Sequence, residues 1–140
     1  MYSKLLRNLV VTFVVLFVFS FLWHDTLFGN FYHSNMVSIA RYSNGALSPL
    51  MPYIAFGDLL AIFGFVWFLP KVSSSKSQYV WNGIIMGLVA FGSASIVSHG
   101  LFAGWGGMLM VADVAFSIAL GALGGFVLSM LNSKAESVSM

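Results

Sequence analysis

The sequence predicts an all-α membrane protein: four transmembrane helices in an antiparallel bundle, with both termini on the cytoplasmic side. Three observations predict it. Of 140 residues, 59% are hydrophobic and only 7% charged, with a mean hydropathy of +0.93. A soluble domain carries roughly 25% charged residues, so this chain has too little polar surface to cover a particle in water. Apolar runs of about 20 residues, the length a helix needs to cross hydrocarbon, occur four times. Five of the six basic residues fall in segments that alternate spans place on one side.

The first span is expected over about residues 8–28. Lys4 and Arg7 followed by the apolar stretch 9–23 have the layout of a signal peptide, but HDTLFGNFY follows in place of a small-x-small cleavage site, so an uncleaved span is expected. The second span covers about 50–69 and is expected to stop at Pro70. The third covers about 79–101 and the fourth about 107–131. None of these runs alternates with period two, and backbone in hydrocarbon must satisfy its own hydrogen bonds, so helices are predicted rather than a barrel. The 140 residues read as a single integral membrane domain, 1–140.

Orientation follows from the short loops. Lys4, Arg7, Lys71, Lys76 and Lys134 lie on one side and Arg41 alone on the other, which predicts cytoplasmic termini and a cell inner (plasma) membrane location. The outer connection, 29–49, is the one long loop. Phe31, Tyr32 and Tyr42 suit an interfacial aromatic belt, a short surface helix is expected over about 34–42, and SNGALSP turns the chain into the second span. GWGG at 104–107 makes the tight outer turn, where glycine permits close folding.

Composition also excludes functions. A net charge of +2 without a basic run gives no footing for nucleic acid, and the absence of cysteine removes disulfides, thiolate metal sites and Cys nucleophiles. There is no HExxH, P-loop or CxxC. Ser95, His99 and Asp113 can be drawn as a triad, but most membrane bundles allow such a drawing and four short spans leave a small cavity. No enzymatic activity is expected.

Lipid supplies no hydrophobic drive for helix association, so close packing needs small residues on one face. In the fourth span Ser117, Gly121, Gly125 and Ser129 recur every four residues, and one further step reaches Asp113. The third repeats the device with Gly83, Gly87, Phe91, Ser95 and His99. The first carries Asn8, Thr12, Leu16, Ser20 and His24, and the second a weaker Gly57–Ala61 pair beside Asp58. Glycine faces on two helices point to a homo-oligomer or a membrane partner subunit.

Each stripe carries an ionisable residue toward its outer end. Asp58 and Asp113 should lie roughly 10 Å into the membrane, with His24, Asp25 and His99 nearer the edge. An aspartate at depth costs about 2.5–3.5 kcal/mol even on lenient scales, so each should have a partner. Histidine, Arg41, water or a cation are the partners expected on that side. Three readings fit: a structural network that fixes register, a proton- or cation-coupled transporter or channel using Asp58 and Asp113, and a haem or copper site. The last would use His24 and His99, or Met36, Met51, Met108 and Met110 for copper(I). His33 reads as a loop histidine and Arg41 as an interfacial anchor. The residues demand no cofactor, and the metal question stays open.

Trp23-His24-Asp25 at the end of span one, the Phe31-Tyr32 pair, and Val111-Ala112-Asp113 ahead of Gly121, Gly124 and Gly125 resemble the pattern of small four-span bacterial inner-membrane families of unknown function. The resemblance covers most of the chain and implies the four-helix fold; it implies no activity.

Overall fold

The structure, a computed structural model, describes residues 2–44 and 46–133. Lys134 and Glu136 lie outside the described residues, as do Gly45 and the side chain of Tyr42. Four helices are long and apolar enough to cross a membrane: Tyr2–Leu27, Met51–Val72, Lys76–Leu101 and Gly107–Asn132. The first consists of α1 (Tyr2–Phe21) continued by a π-helical segment, Leu22–Leu27. A helix of about two turns, α2 (Gly29–Asn35), and a hairpin of two-residue strands, β1 (Tyr42–Ser43) with β2 (Ala46–Leu47), form the long connection to α3 (Met51–Val72). The third span is α4 (Lys76–Gly87), a second π-helical segment, Leu88–Gly92, and α5 (Ser93–Leu101). The fourth is α6 (Gly107–Ser133). The end bearing α2 and the hairpin is called the cap end, and the opposite end the terminus end.

The principal contact in the bundle is α4 against α6. It forms because both helices present glycine to each other. A Cβ on Gly83 would strike the Gly121 carbonyl and lie 3.1 Å from Gly125 Cα; one on Gly87 would strike the Ser117 carbonyl and lie 3.0 Å from Gly121 Cα. Gly83, Gly87, Gly121 and Gly125 thus pack against one another within the chain. The four-residue spacing expected for the third span breaks at the π segment, which holds one extra residue. The seam runs Gly83, Gly87, Gly92, Ser95, so that Gly92 is buried in place of Phe91 and His99 ends up exposed rather than topping the row. The opposite side of α6 also needs glycine: a Cβ on Gly124 would come within 3.2 Å of both Leu16 and Phe65.

The apolar core lies toward the terminus end and the middle, built by Leu16, Ile62, Phe65, Leu69, Leu120 and Leu128 with their neighbours. In α3 every buried residue comes from its second half, and residues 51–60 contribute none. On α1 the buried positions are Asn8, Thr12 and Leu16, the row the four-residue spacing picks out. Thr12 is fully buried and its hydroxyl has no hydrogen-bond partner among the described residues. A buried unsatisfied hydroxyl costs about 1–3 kcal/mol, so Thr12→Val, which keeps the shape and removes the polar atom, is expected to raise the thermal unfolding midpoint in detergent.

Three local expectations need correction. Helix α3 runs through Pro70 to Val72; in a last turn a proline removes only one N–H, and the helix tolerates it. The surface helix is Gly29–Asn35 rather than 34–42. The chain beyond it forms a hairpin in register Tyr42↔Leu47, with Asn44 at φ 52° in its turn; Asn-Gly between short strands is the usual signal for such a turn. At the 102–106 turn, Gly104 is required for close approach: a Cβ there would sit 2.5 Å from Ser38 Oγ and 2.6 Å from Ile39 Cγ2. The long connection thus lies directly over the α5–α6 turn.

Candidate functional site

The cap end holds one polar network, and Asp113 is its centre. Asp113 projects from the second turn of α6, on the face continued by Ser117, whose hydroxyl donates back to the Asp113 carbonyl at 2.7 Å. Each carboxylate oxygen accepts one hydroxyl. Tyr32 Oη donates to Oδ1 at 2.7 Å and Ser95 Oγ donates to Oδ2 at 3.1 Å. Each hydroxyl in turn accepts from an indole: Trp23 Nε1 donates to Tyr32 Oη at 3.3 Å, and Trp105 Nε1 to Ser95 Oγ at 3.2 Å. The two arms join the first span, α2, the third span, the α5–α6 turn and the fourth span at one carboxylate. Hydrogen bonds to an ionised group are about twice as strong as neutral ones, which offsets the cost of holding an acid at this depth.

Local structure explains why these side chains converge. The π segment Leu22–Leu27 carries Trp23 and His24 inward. Phe28 then breaks the helix at φ −120°, ψ 18°, and α2 folds back so that Tyr32, its one buried residue, reaches Asp113. Aromatic rings fill the space beneath: Phe116 lies 5.9 Å from Phe19, 5.7 Å from Trp23 and 4.6 Å from His24. On the third span the π segment just before α5 puts Gly92 in the seam, and Ser95 stays buried.

The five acids and imidazoles singled out from the sequence are placed differently from one another. Asp113 is central. His24 borders the network, its ring 4.5 Å from that of Tyr32. Its Nδ1 lies 2.9 Å from the Ser20 carbonyl; a carbonyl only accepts, so Nδ1 carries the hydrogen and Nε2 is left open. Asp58 accepts no hydrogen bond from the described residues, and His24 is its titratable neighbour. Asp58 thus neighbours His24, whose ring packs on that of Tyr32, the donor to Asp113. His99 is exposed and its Nδ1 is tied to the Trp105 carbonyl at 2.6 Å, so it supports the turn that delivers Trp105. Asp25 points away from the network into an open surface cleft of about 520 Å³, lined also by Asn30, Phe31 and His33. Among the described residues no three His, Asp or Glu side chains converge as a metal-ligand set.

The sequence reading missed Trp23, Tyr32 and Trp105 as partners. Histidine, Arg41, water or a cation are the expected counterparts of Asp113, whereas two hydroxyls fill that role, each backed by an indole. The available signal was that a membrane acid is satisfied by any donor within reach, and that Tyr and Trp carry a polar tip on an apolar body.

Tyr32 lies beyond the first span, and burial, reinforced by the Asp113 carboxylate, pushes its phenol well above the ordinary 10.0. The folded protein thus holds this proton more tightly than the unfolded chain. The resulting stabilisation is fully present below about pH 10 and is lost as pH rises through and beyond the ordinary phenol range. An alkaline spectrophotometric titration in detergent is expected to show one late-ionising tyrosine, absent from Tyr32→Phe.

At the terminus end a second, smaller set closes the bundle. Arg7 donates to the Leu131 carbonyl at 2.9 Å, and Asn8 Nδ2 donates to Asn132 Oδ1 at 3.3 Å. A cation on the last carbonyls of α6 complements that helix dipole.

No curated protein and no solved structure matches the chain. A family model described as a predicted membrane protein (DUF2177) matches residues 5–130. With four membrane-length helices and a match over nearly its whole length, the chain belongs to this family of predicted membrane proteins, DUF2177.

Proposed function

We propose that this is a non-enzymatic, multi-pass protein of the cell inner membrane with both termini cytoplasmic, acting as a structural or accessory subunit, as a homo-oligomer or beside a membrane partner. The observation that carries the reading is the occupancy of Asp113. Both its oxygens are engaged by hydroxyls that are themselves engaged, an arrangement suited to fixing helix positions rather than to exchanging an ion each cycle. The orientation is supported by Lys4, Arg7, Lys71 and Lys76 at the terminus end against Arg41 at the cap end. A partner helix is supported by the first half of α3, which buries no residue in the bundle and where a Cβ on Gly57 would meet nothing within 4 Å.

Asp58 favours a second reading, that of a small proton- or cation-coupled transporter or channel. It is an acid within a span with His24 as its neighbour and no hydrogen bond from the described residues, and such residues mark ion pathways in many membrane proteins. Reconstitution in liposomes separates the two. The accessory reading expects no proton or cation flux from the native protein, and a drop in folded yield for Asp113→Asn. Flux that disappears in Asp58→Asn while the protein stays folded would establish transport instead.

A further inference from the structure

The terminus end carries a feature that the cap-end network does not explain. Its described lysines and arginines, Lys4, Arg7, Lys71 and Lys76, face no described carboxylate at that end, because Asp25, Asp58 and Asp113 lie in the other half of the bundle. Two of these cations flank the α3–α4 turn and are drawn onto rings at the bundle perimeter. Lys71 Nζ sits 3.9 Å above the Trp67 ring, and Lys76 Nζ sits 4.7 Å above the Phe126 ring. Trp67 is 50% and Phe126 40% exposed on helices that span the membrane, so both ammonium groups lie where the protein meets lipid, close to the ends of the spans.

The turn between them is rigid. Asn82 Nδ2 donates to the Val72 carbonyl at 3.1 Å and to Ser73 Oγ at 3.0 Å; Gln78 Oε1 accepts from both the backbone and hydroxyl of Ser74, each at 2.8 Å. These polar groups are engaged with one another, whereas among the described residues the two ammonium groups meet ring faces. A ring face compensates part of a cation's lost hydration; at the headgroup level the complement at hand is a lipid phosphate, and basic sites between helices on this kind of surface take anionic headgroups.

We propose that Lys71 and Lys76, held on either side of the α3–α4 turn, form a binding site for the phosphate of an acidic phospholipid headgroup. Because recognition rests on two point charges, with the turn's own donors engaged, the site selects for negative charge rather than headgroup shape. Phosphatidylglycerol and cardiolipin both bind, cardiolipin more tightly because its two phosphates can meet both lysines, and phosphatidylcholine does not.

The test is native mass spectrometry of the full chain in a non-ionic detergent, titrated with each of these three lipids. The expected result is retention of phosphatidylglycerol and cardiolipin, weakened about tenfold or more in Lys71→Gln/Lys76→Gln and kept in Lys71→Arg/Lys76→Arg. Lys4→Gln, which removes one charge elsewhere on the same end, should leave retention unchanged. Three outcomes would overturn the proposal: equal retention of phosphatidylcholine, loss in Lys4→Gln as large as in the double glutamine variant, or displacement of the lipid by millimolar inorganic phosphate. The arginine variant keeps the assay decisive should the glutamine variant unfold, since loss of lipid from a folded arginine variant also contradicts a site built on two positive charges.

Discussion

Gly121→Val is expected to leave no folded protein in detergent. A Cβ at this position would strike the Gly83 carbonyl oxygen, and it would lie 2.9 Å from Gly83 C and 3.0 Å from Ile84 Cα. These are backbone atoms of the facing helix, so no side-chain rotation relieves them and α4 must move bodily away from α6. That movement opens the seam at Gly83–Gly125 and Gly87–Ser117 together. Overpacking typically costs about 1–3 kcal/mol where side chains can adjust; here the whole contact is lost, against a total stability on the order of 5–15 kcal/mol. Gly57→Ala is the matched control. Its Cβ meets nothing within 4 Å, and it should fold with a melting midpoint at or slightly above the native value. Size-exclusion elution and far-ultraviolet circular dichroism of the two variants check the contrast.

Asp113→Ala should have the second largest effect. It removes the acceptor of both arms at once, leaving the Tyr32 and Ser95 hydroxyls facing an empty site in a partly buried region. Loss of two hydrogen bonds to a charged acceptor, each worth about 1.5–3 kcal/mol, should lower the melting midpoint sharply and free α2 from the bundle. Two of the four tryptophans, Trp23 and Trp105, belong to the arms, so the detachment is expected to appear as a red shift and broadening of indole emission before global unfolding. Asp113→Asn retains one acceptor oxygen and should fall between the native protein and Asp113→Ala. An unchanged melting midpoint and emission in Asp113→Ala would mean that the arms bear no load.

Much of this architecture is legible in the residues because membrane helices obey few rules. Spans follow from runs of apolar residues, and the α4–α6 seam follows from glycine and serine at four-residue spacing, as with Gly121 and Gly125 facing Gly83. The place of Asp113 on the packing face follows from the same spacing. What spacing does not reveal is a change of helical period. The π segments at Leu22–Leu27 and Leu88–Gly92 are not marked by any residue spacing, so the shift from Phe91 to Gly92 and the retreat of His99 carry no local signature. The partners of Asp113 were hidden for a different reason. Tyr32 and Trp23 look like interfacial aromatics, a role their composition predicts equally well, and only the fold-back at Phe28 brings the phenol to the carboxylate. That the fully buried residues of α3 all come from its second half is likewise tertiary.

The central claim is that Asp113 gathers the cap end through the Tyr32 and Ser95 hydroxyls. A double-mutant cycle of Tyr32→Phe and Asp113→Asn, read as unfolding free energy in a mild detergent, measures it most directly. The account predicts that the double variant loses at least about 1 kcal/mol less than the sum of the two single losses, since both remove the same bond. Single losses that simply add, with a coupling near zero, would contradict it.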